Sequence, residues 1–464
     1  MSFILLIPDG VGVRNFLIGN FPRQLRDKGE VYIAHIIPPH LLPTYRAGFS
    51  DGTQWEPLLD YKESFLSFIL RYALNYAQMF WADTRSMRRG RNRPVKGSWR
   101  TKAAHRLAKT IGQMAASPPG IRALDFFHCL EVKRLPEVKH YQRLFKKIRP
   151  SVLFCSHQRP PIVLPAVLAA KSLGIPTAVF IFSWDNLTSK GRIAAPFDHY
   201  LVWSGSMRQE LIRYYPDVPQ SRVHIVGTPQ FDFYADQKLL WTREEFFRRI
   251  QADPSRPLIC YSGGDTGTAP EDPAHARILM ELIRAGKIKS RPQILVRPAP
   301  VDEGNRYDGL RREYPELIYV KPRWAHPESE DWSRVIPLPE DVQFLANLTQ
   351  YADLNINLAS TMTLDFAIHD KPVVNIAFDI SDPPPFGVPL WDFFYQFEHY
   401  QPVVELKAAR FARSPEELAQ HINDYLENPA LDRENRRRLV ELEVDMPLGR
   451  SAERMLDVLN KISL

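Results

Sequence analysis

Short apolar runs alternate with polar or glycine-bearing breaks along most of this chain. Phe3–Ile7, Val31–Ile36, Val152–Cys155, Ala178–Phe182, Tyr200–Trp203 and His224–Gly227 are too short for buried helices. They read as buried strands. Between them, Ile162–Leu173 (closed by Gly174) and Met207–Tyr214 have helical spacing. A second series follows, with strands at Leu258–Tyr261, Gln293–Arg297, Leu317–Val320, Leu354–Leu358 and Pro372–Phe378. Helices are expected there over Ala274–Ala285, Asp341–Tyr351 and Leu364–His369. Strands separated by helices predict βαβ units and parallel sheets.

The pattern predicts an α/β chain of two Rossmann-like domains facing a central cleft. Expected boundaries are 1–236 for the first domain, 237–256 for a linker, 257–448 for the second domain and 449–464 for a closing helix. Ser414-Pro415-Glu416-Glu417 is a capping box with proline at the first helical position. The first strand ends in Pro8-Asp9-Gly10-Val11-Gly12, expected as a glycine loop ahead of a helix through Phe16. No third glycine follows at the offset of a dinucleotide fingerprint. Residues 322–337 have no periodicity and read as a long loop.

One region breaks the alternation. Residues from about 55 to 148 carry few strand signals and read as a helical insert in the first domain. Leu66, Ile69, Leu70 and Ala73 repeat at helical spacing. Ser98–Met114 is expected as a basic amphipathic helix with Ala103, Leu107, Ile111 and Met114 on one face.

Composition adds bounds. At 464 residues, each half is long enough for its own core. Apolar residues make up 44% and charged residues 24%, ordinary for a globular protein. The three cysteines are widely spaced, and Cys155 and Cys260 sit in strand-like runs, as expected of a reducing, cytosolic compartment. The N-terminal apolar run is too short for a secretory signal, and no window matches a membrane span. The net charge is +7, and much of the excess lies between Arg85 and Lys109, where no acid intervenes. Such a run suits a solvated face or an anionic lipid surface. Nucleic acid is not expected, because no nucleic-acid module surrounds the patch.

The stretch Ser183-Trp184-Asp185-Asn186-Leu187-Thr188-Ser189-Lys190-Gly191 puts an indole, a carboxylate, a carboxamide and an ammonium just after a strand. In open α/β sheets, ligands bind at strand ends. A structural alternative is a turn built on Asp185 and Asn186, with Trp184 in the core. Together with Val226-Gly227-Thr228-Pro229-Gln230-Phe231-Asp232 and Ser360-Thr361-Met362-Thr363-Leu364-Asp365, this stretch resembles a bacterial group of GT-B-fold surface-carbohydrate glycosyltransferases. That group is distantly similar to CDP-glycerol glycerophosphotransferases and to the UDP-GlcNAc 2-epimerase fold group. The resemblance covers roughly residues 150–380 and excludes the basic insert.

The resemblance implies a donor nucleotide on the second half and an acceptor on the first. A diphosphate needs amide and hydroxyl donors at a helix start, which Ser360, Thr361 and Thr363 offer after an apolar strand, with Asp365 in the same motif. Gly263, Gly264 and Thr266 form a second candidate loop, or a plain βα turn. Arg297 at a strand end is a candidate phosphate partner, although Ala299 stands where related proteins often carry His.

The expected reaction needs one general base near the acceptor hydroxyl. Asp9, His157 and Asp185 all sit at strand ends of the first half, and Asp9 ranks first by position. Arg14, Arg159, Trp184, Asn186 and Lys190 are candidates to shape the cleft or hold an anionic acceptor. There is no Asp-x-Asp dyad, P-loop or metal-ligand spacing. The leading expectation is therefore a metal-independent glycosyltransferase without a resident cofactor, using a nucleotide sugar as donor and acting at the inner face of the cytoplasmic membrane. A CDP-polyol phosphotransferase, a sugar-nucleotide 2-epimerase and a non-catalytic binding protein are the alternatives.

Overall fold

The computed structural model describes residues 2–26, 29–50, 52–302, 305–325 and 334–463. The chain divides into two units, residues 1–232 with 447–464, and residues 233–446.

Among the described residues, the first unit holds seven parallel strands. They are β1 (Ser2–Ile7), β2 (Glu30–His35), β3 (Gln54–Pro57), β4 (Val152–Cys155), β5 (Thr177–Phe180), β6 (His199–Val202) and β7 (Val223–Ile225). Their order is β3-β2-β1-β4-β5-β6-β7. Strands β1, β4 and β5 are apolar on both faces because helices cover both sides of a parallel sheet. The order reverses between β1 and β4, which pair from Phe3↔Val152 to Leu6↔Cys155. Strand β3 lies inside the span expected to be helical. It was illegible in sequence because it is a mostly exposed edge strand with polar Gln54 and Glu56.

The helical insert therefore begins later, with helices Phe65–Ala82, Arg85–Asn92, Trp99–Met114, Pro118–Val132 and Pro136–Ile148. Its core is made of Ile69, Ala73, Leu74, Ala77, Ala104, Ala108, Ile121 and Leu124. The Trp99–Met114 helix packs its small residues inward, and of the expected apolar face Ile111 also packs against this core. Ala104, Ala108 and Gly112 point inward, while Leu107 is 50% and Met114 85% exposed. The reason is steric: a Cβ on Gly112 would lie 2.6 Å from the Ala73 carbonyl oxygen and 2.9 Å from the Ala77 nitrogen. Two helix backbones approach this closely only along a stripe of small residues.

The closing helix Ser451–Ile462 belongs to the first unit, where it packs on the Asn20–Arg26 helix and β4. Its start is held by Asp232, whose carboxylate accepts the amide protons of Gly449 at 2.9 Å and Ser451 at 3.0 Å, and the Ser451 hydroxyl.

The second unit repeats the topology. Its strands are β8 (Leu258–Ser262), β9 (Gln293–Arg297), β10 (Ile318–Tyr319), β13 (Leu354–Asn357), β14 (Val373–Ile376) and β15 (Arg410–Ala412), in the order β10-β9-β8-β13-β14-β15. Both sheets thus follow the doubly wound plan, the second reversing between β8 and β13. The core includes Ile259, Tyr261, Leu279, Ile294, Val296, Ile356, Val374 and Ile422. The helix Arg243–Arg249 packs in this unit too, with Phe246 and Phe247 fully buried. The ends of the expected 322–337 loop pair as antiparallel β11 (Trp324–Ala325) and β12 (Ile336–Pro337). Residues 326–333 of that loop lie outside the described residues.

Candidate functional site

Asp9 follows β1 and caps the helix Gly10–Leu17, its Oδ1 accepting the Gly12 amide proton at 2.7 Å. The expected glycine loop is therefore helix from Gly10 onward, because an Asp N-cap starts it at once. Gly12 is needed for packing, since a Cβ there would lie 2.5 Å from Ser156 Oγ. The helix is held on the sheet by Phe16, which makes edge-to-face contacts with Phe154 and Phe180 at 5.2 and 5.5 Å. Such pairs contribute about 0.5–1.5 kcal/mol each, so the position of Asp9 is well supported.

His157 follows β4, the strand beside β1. Its Nδ1 is hydrogen-bonded to Asp9 Oδ2, and its ring stacks on Phe182 at 4.1 Å with an interplanar angle of 17°. Both side chains are nearly enclosed, Asp9 at 3% and His157 at 8% exposure. With Nδ1–H donated to a carboxylate, the neutral ring presents a lone pair at Nε2. Among the described residues, nothing partners that buried Nε2, nor the neighbouring Ser156 Oγ. This dyad sits at the reversal point of the first sheet, where open α/β sheets bind ligands. Asp9, the first-ranked base from sequence, has one oxygen on the helix cap and the other on His157. The basic atom left without a partner among the described residues is the histidine's buried Nε2.

Asp185 is a hub rather than an open carboxylate. Its Oδ1 accepts from the Ser183 hydroxyl at 2.7 Å and the Asn186 amide at 2.9 Å, its Oδ2 from the Ser189 hydroxyl at 2.6 Å, and Lys190 Nζ lies 3.6 Å away. These bonds shape the single turn Asn186–Ser189, and Trp184 is buried beside it. The turn alternative is the one realised. Asn186 Oδ1 accepts from Gln158 Nε2 at 2.8 Å, and Gln158 Oε1 accepts the Phe182 amide proton at 3.0 Å. Gln158 thereby fastens the loop after β4 to the loop after β5, a role that one polar residue in a polar loop does not announce.

The same stretch is where the insert docks. Thr84 Oγ1 donates to the Thr188 carbonyl at 2.6 Å, and Arg192 reaches Asp125 at 2.7 Å and Gln78 at 3.2 Å. Gly191 lies against Asn75, whose side chain leaves no room for a Cβ. Arg159 and Lys190 both line a cavity at this seam. Arg14 is on the Gly10–Leu17 helix, donating from Nε to Asn15 at 3.1 Å.

In the second unit, the loops after β8 and β13 flank the reversal point. Gly263 donates its amide to the Arg297 carbonyl and Gly264 to Asp272 Oδ2 at 2.6 Å. A Cβ on Gly263 would collide with the Tyr307 hydroxyl. These glycines serve packing, so their amides are not open to a phosphate. Burial pushes the Asp272 carboxyl up to about 7. Thr266 is exposed at the loop tip, and Asp265 holds that tip by accepting the Gly267 and Thr268 amide protons at 2.7 and 3.0 Å. Arg297 is buried and donates to both oxygens of Asp341, at 3.0 and 2.9 Å, so its charge is already matched.

After β13, Ala359 takes a left-handed φ of 47°, a strain that non-glycine residues carry mostly at functional turns. Ser360 Oγ accepts the Met362 amide proton at 3.3 Å and keeps its own proton to donate. Thr361 makes no side-chain cap. Thr363 is fully buried against Tyr400 and Asn357, and Asp365 accepts the Tyr234 hydroxyl, so both belong to the interior. Sequence reasoning overlooked the asparagine ladder beneath them. Asn355 donates to Ser262 Oγ at 2.7 Å, Asn357 to Asn355 at 2.7 Å, and Asn357 Oδ1 accepts the Ser360 amide proton at 2.9 Å. The signal was present in Leu354-Asn355-Ile356-Asn357, since asparagines in a central buried strand need internal partners. Among the described residues, no group of three or more His, Cys, Asp or Glu side chains could hold a metal ion.

Compared by sequence, the chain matches no family model and no curated protein. Its fold does match solved structures. UDP-GlcNAc 2-epimerase from Neisseria meningitidis, solved bound to UDP-GlcNAc, aligns with a TM-score of 0.53 at 8% identity, covering 99% of this chain and 100% of that one. The corresponding enzyme from Methanocaldococcus jannaschii gives 0.52 at 10% identity, with 99% and 100% covered. A glycosyltransferase from Rickettsia africae ESF-5 gives 0.52 at 12% identity, with 99% and 98% covered. Likeness at these identities carries the architecture alone. With two doubly wound parallel sheets in one chain, the protein has a GT-B-like fold.

Proposed function

We propose that this protein is a glycosyltransferase that moves a sugar from a nucleotide-activated donor to a hydroxyl of a surface-polysaccharide or lipid-linked glycan. The observation that carries this reading is the Asp9–His157 dyad at the reversal point of the first sheet, with Nε2 unpartnered among the described residues. In the proposed reaction the acceptor oxygen attacks the anomeric carbon, and His157 Nε2 takes the hydroxyl proton. Asp9 stabilises the imidazolium, and the bond to the nucleoside diphosphate breaks. Ser360 and Thr361 in the second unit are the proposed contacts to the departing diphosphate. Thr266 is a further contact from the neighbouring loop.

The insert supports a peripheral membrane role. Its basic run from Arg85 to Lys109 accompanies exposed Trp99, Leu107 and Met114, a combination that suits an anionic lipid surface. No described helix is long and apolar enough to cross a membrane.

A thermal-shift series with UDP, GDP, CDP, CMP and dTDP tests the donor reading. One nucleotide is expected to raise the melting temperature, and Thr361→Val to reduce that rise. Failure of every nucleotide would overturn it in favour of a non-catalytic protein. A second reading, a sugar-nucleotide 2-epimerase, is favoured by the names of two matched structures. Conversion of UDP-GlcNAc with no acceptor present would select it.

A further inference from the structure

The seam between the insert and the loops after β4 and β5 encloses a cavity of about 340 Å³, within the range of small-molecule sites. Its wall includes Arg71, Tyr72 and Asn75 from the Phe65–Ala82 helix, and Arg159, Lys190 and Arg192 from the loops. Four cations line it and no carboxylate does. Arg71 is matched by Glu63, at 2.6 and 2.7 Å, and Arg192 by Asp125, both from outside the lining. Lys190 shares Asp185 at 3.6 Å with three hydroxyl and amide donors. Arg159 is exposed, lines the cavity and has no hydrogen bond or ion pair among the described residues. Its guanidinium stays charged.

Four cations lining one cavity with no carboxylate among them repel one another, and an anion bound there offsets that repulsion. The amide of Asn75 also lines the wall, and Met79 and Pro161 add apolar surface. The volume exceeds what a bare anion fills. We infer that this cavity binds a sugar carrying one anionic group, a phosphate or a carboxylate, through Arg159 and Lys190. Arg159 stands two residues from His157, so the ligand is the charged sugar of the acceptor. That last assignment rests on the transferase reading, while the binding does not.

Isothermal titration of the full chain without nucleotide tests it, with glucose 1-phosphate, glucuronate, inorganic phosphate and glucose as probes. Glucose 1-phosphate or glucuronate is expected to bind, and glucose to bind at least 10-fold more weakly. Arg159→Gln is expected to weaken binding about 10-fold or more, as loss of a charge-assisted hydrogen bond does. Lys190→Gln weakens it several-fold, and serves alone if Arg159→Gln loses its cooperative melting transition. Absence of binding by either charged sugar overturns the proposal, as does wild-type affinity in both variants. Inorganic phosphate binding as tightly as glucose 1-phosphate overturns the sugar assignment. Because no nucleotide is present, these outcomes are separate from failure of the donor series.

Discussion

His157 Nδ1 and Asp9 Oδ2 are hydrogen-bonded across the C-terminal ends of two adjacent parallel strands, β4 and β1. The two residues lie far apart in sequence and meet because the sheet order reverses between those strands. Asp9 also caps a helix through its other oxygen, so one carboxylate fixes both the helix start and the imidazole.

Substitutions at the dyad separate chemistry from stability. His157→Gln is expected to lower kcat by about 10²–10⁴-fold, the usual contribution of a positioned base. Asp9→Asn keeps an oxygen for the Gly12 amide and a good helix cap, so its melting temperature should stay near wild type while kcat falls comparably. Asp9→Ala also loses the cap, about 1 kcal/mol. Equal activity of Asp9→Asn and wild type would remove the dyad from the mechanism. Steady-state kinetics with thermal unfolding gives both readouts.

Asp341 is the partner of buried Arg297 and also accepts the Trp324 indole N–H at 2.8 Å. Removing it strands a buried guanidinium. Asp341→Ala is therefore expected to destabilise the second unit by about 3–5 kcal/mol in urea unfolding. If Arg297 instead served a bound phosphate, the variant would bind nucleotide more tightly without that loss.

Gly112 tests the small-residue stripe that joins two insert helices. Gly112→Ala inserts a methyl group against the Ala73 carbonyl, and the expected loss is about 1–3 kcal/mol by overpacking. Leu107→Ala, at a position that is 50% exposed, should change stability by less than about 0.5 kcal/mol. Thermal melts of the two variants check the assignment of faces.

His128 ties insert stability to pH. It is buried, with Nε2 3.3 Å from Ser67 Oγ, and burial pulls its pKa down to about 4. The folded state therefore keeps the ring neutral, while the unfolded chain takes up a proton near its ordinary value of about 6.5. Stability is complete above that value and falls as pH drops through 6.5 toward 4, by up to about 3 kcal/mol. In urea titrations at several pH values, the advantage of wild type over His128→Gln is expected to shrink across this window. A constant difference would show that the ring is not held neutral.

Much of the fold was legible because buried strands and amphipathic helices carry local signatures. Leu258–Tyr261 is an apolar run, and Leu354–Leu358 alternates leucine or isoleucine with asparagine, patterns that neighbours along the chain suffice to read. The edge strands Gln54–Pro57 and Arg410–Ala412 escaped because they are only four and three residues long, too short to show a periodic pattern. The apolar face of the Trp99–Met114 helix is legible in sequence, but which face packs inward is not. Hydrophobicity favours Leu107 and Met114, but the close approach of the Phe65–Ala82 helix selects Ala104, Ala108 and Gly112.

The candidate site was legible as chemistry and not as roles. Local pattern places Asp9, His157, Asp185 and Ser360-Thr361 at strand ends, since a strand followed by a polar break is a local property. Which of those groups is already satisfied follows from the folded chain alone. Asp185 faces three donors from its own turn, Thr363 hydrogen-bonds Tyr400, and Arg297 meets Asp341 through Nη2 while its Nη1 has no partner among the described residues, where His157 Nε2 and Arg159 also have none. Hydrogen-bond satisfaction depends on groups brought together from distant positions, so no reading of neighbours along the chain could assign it.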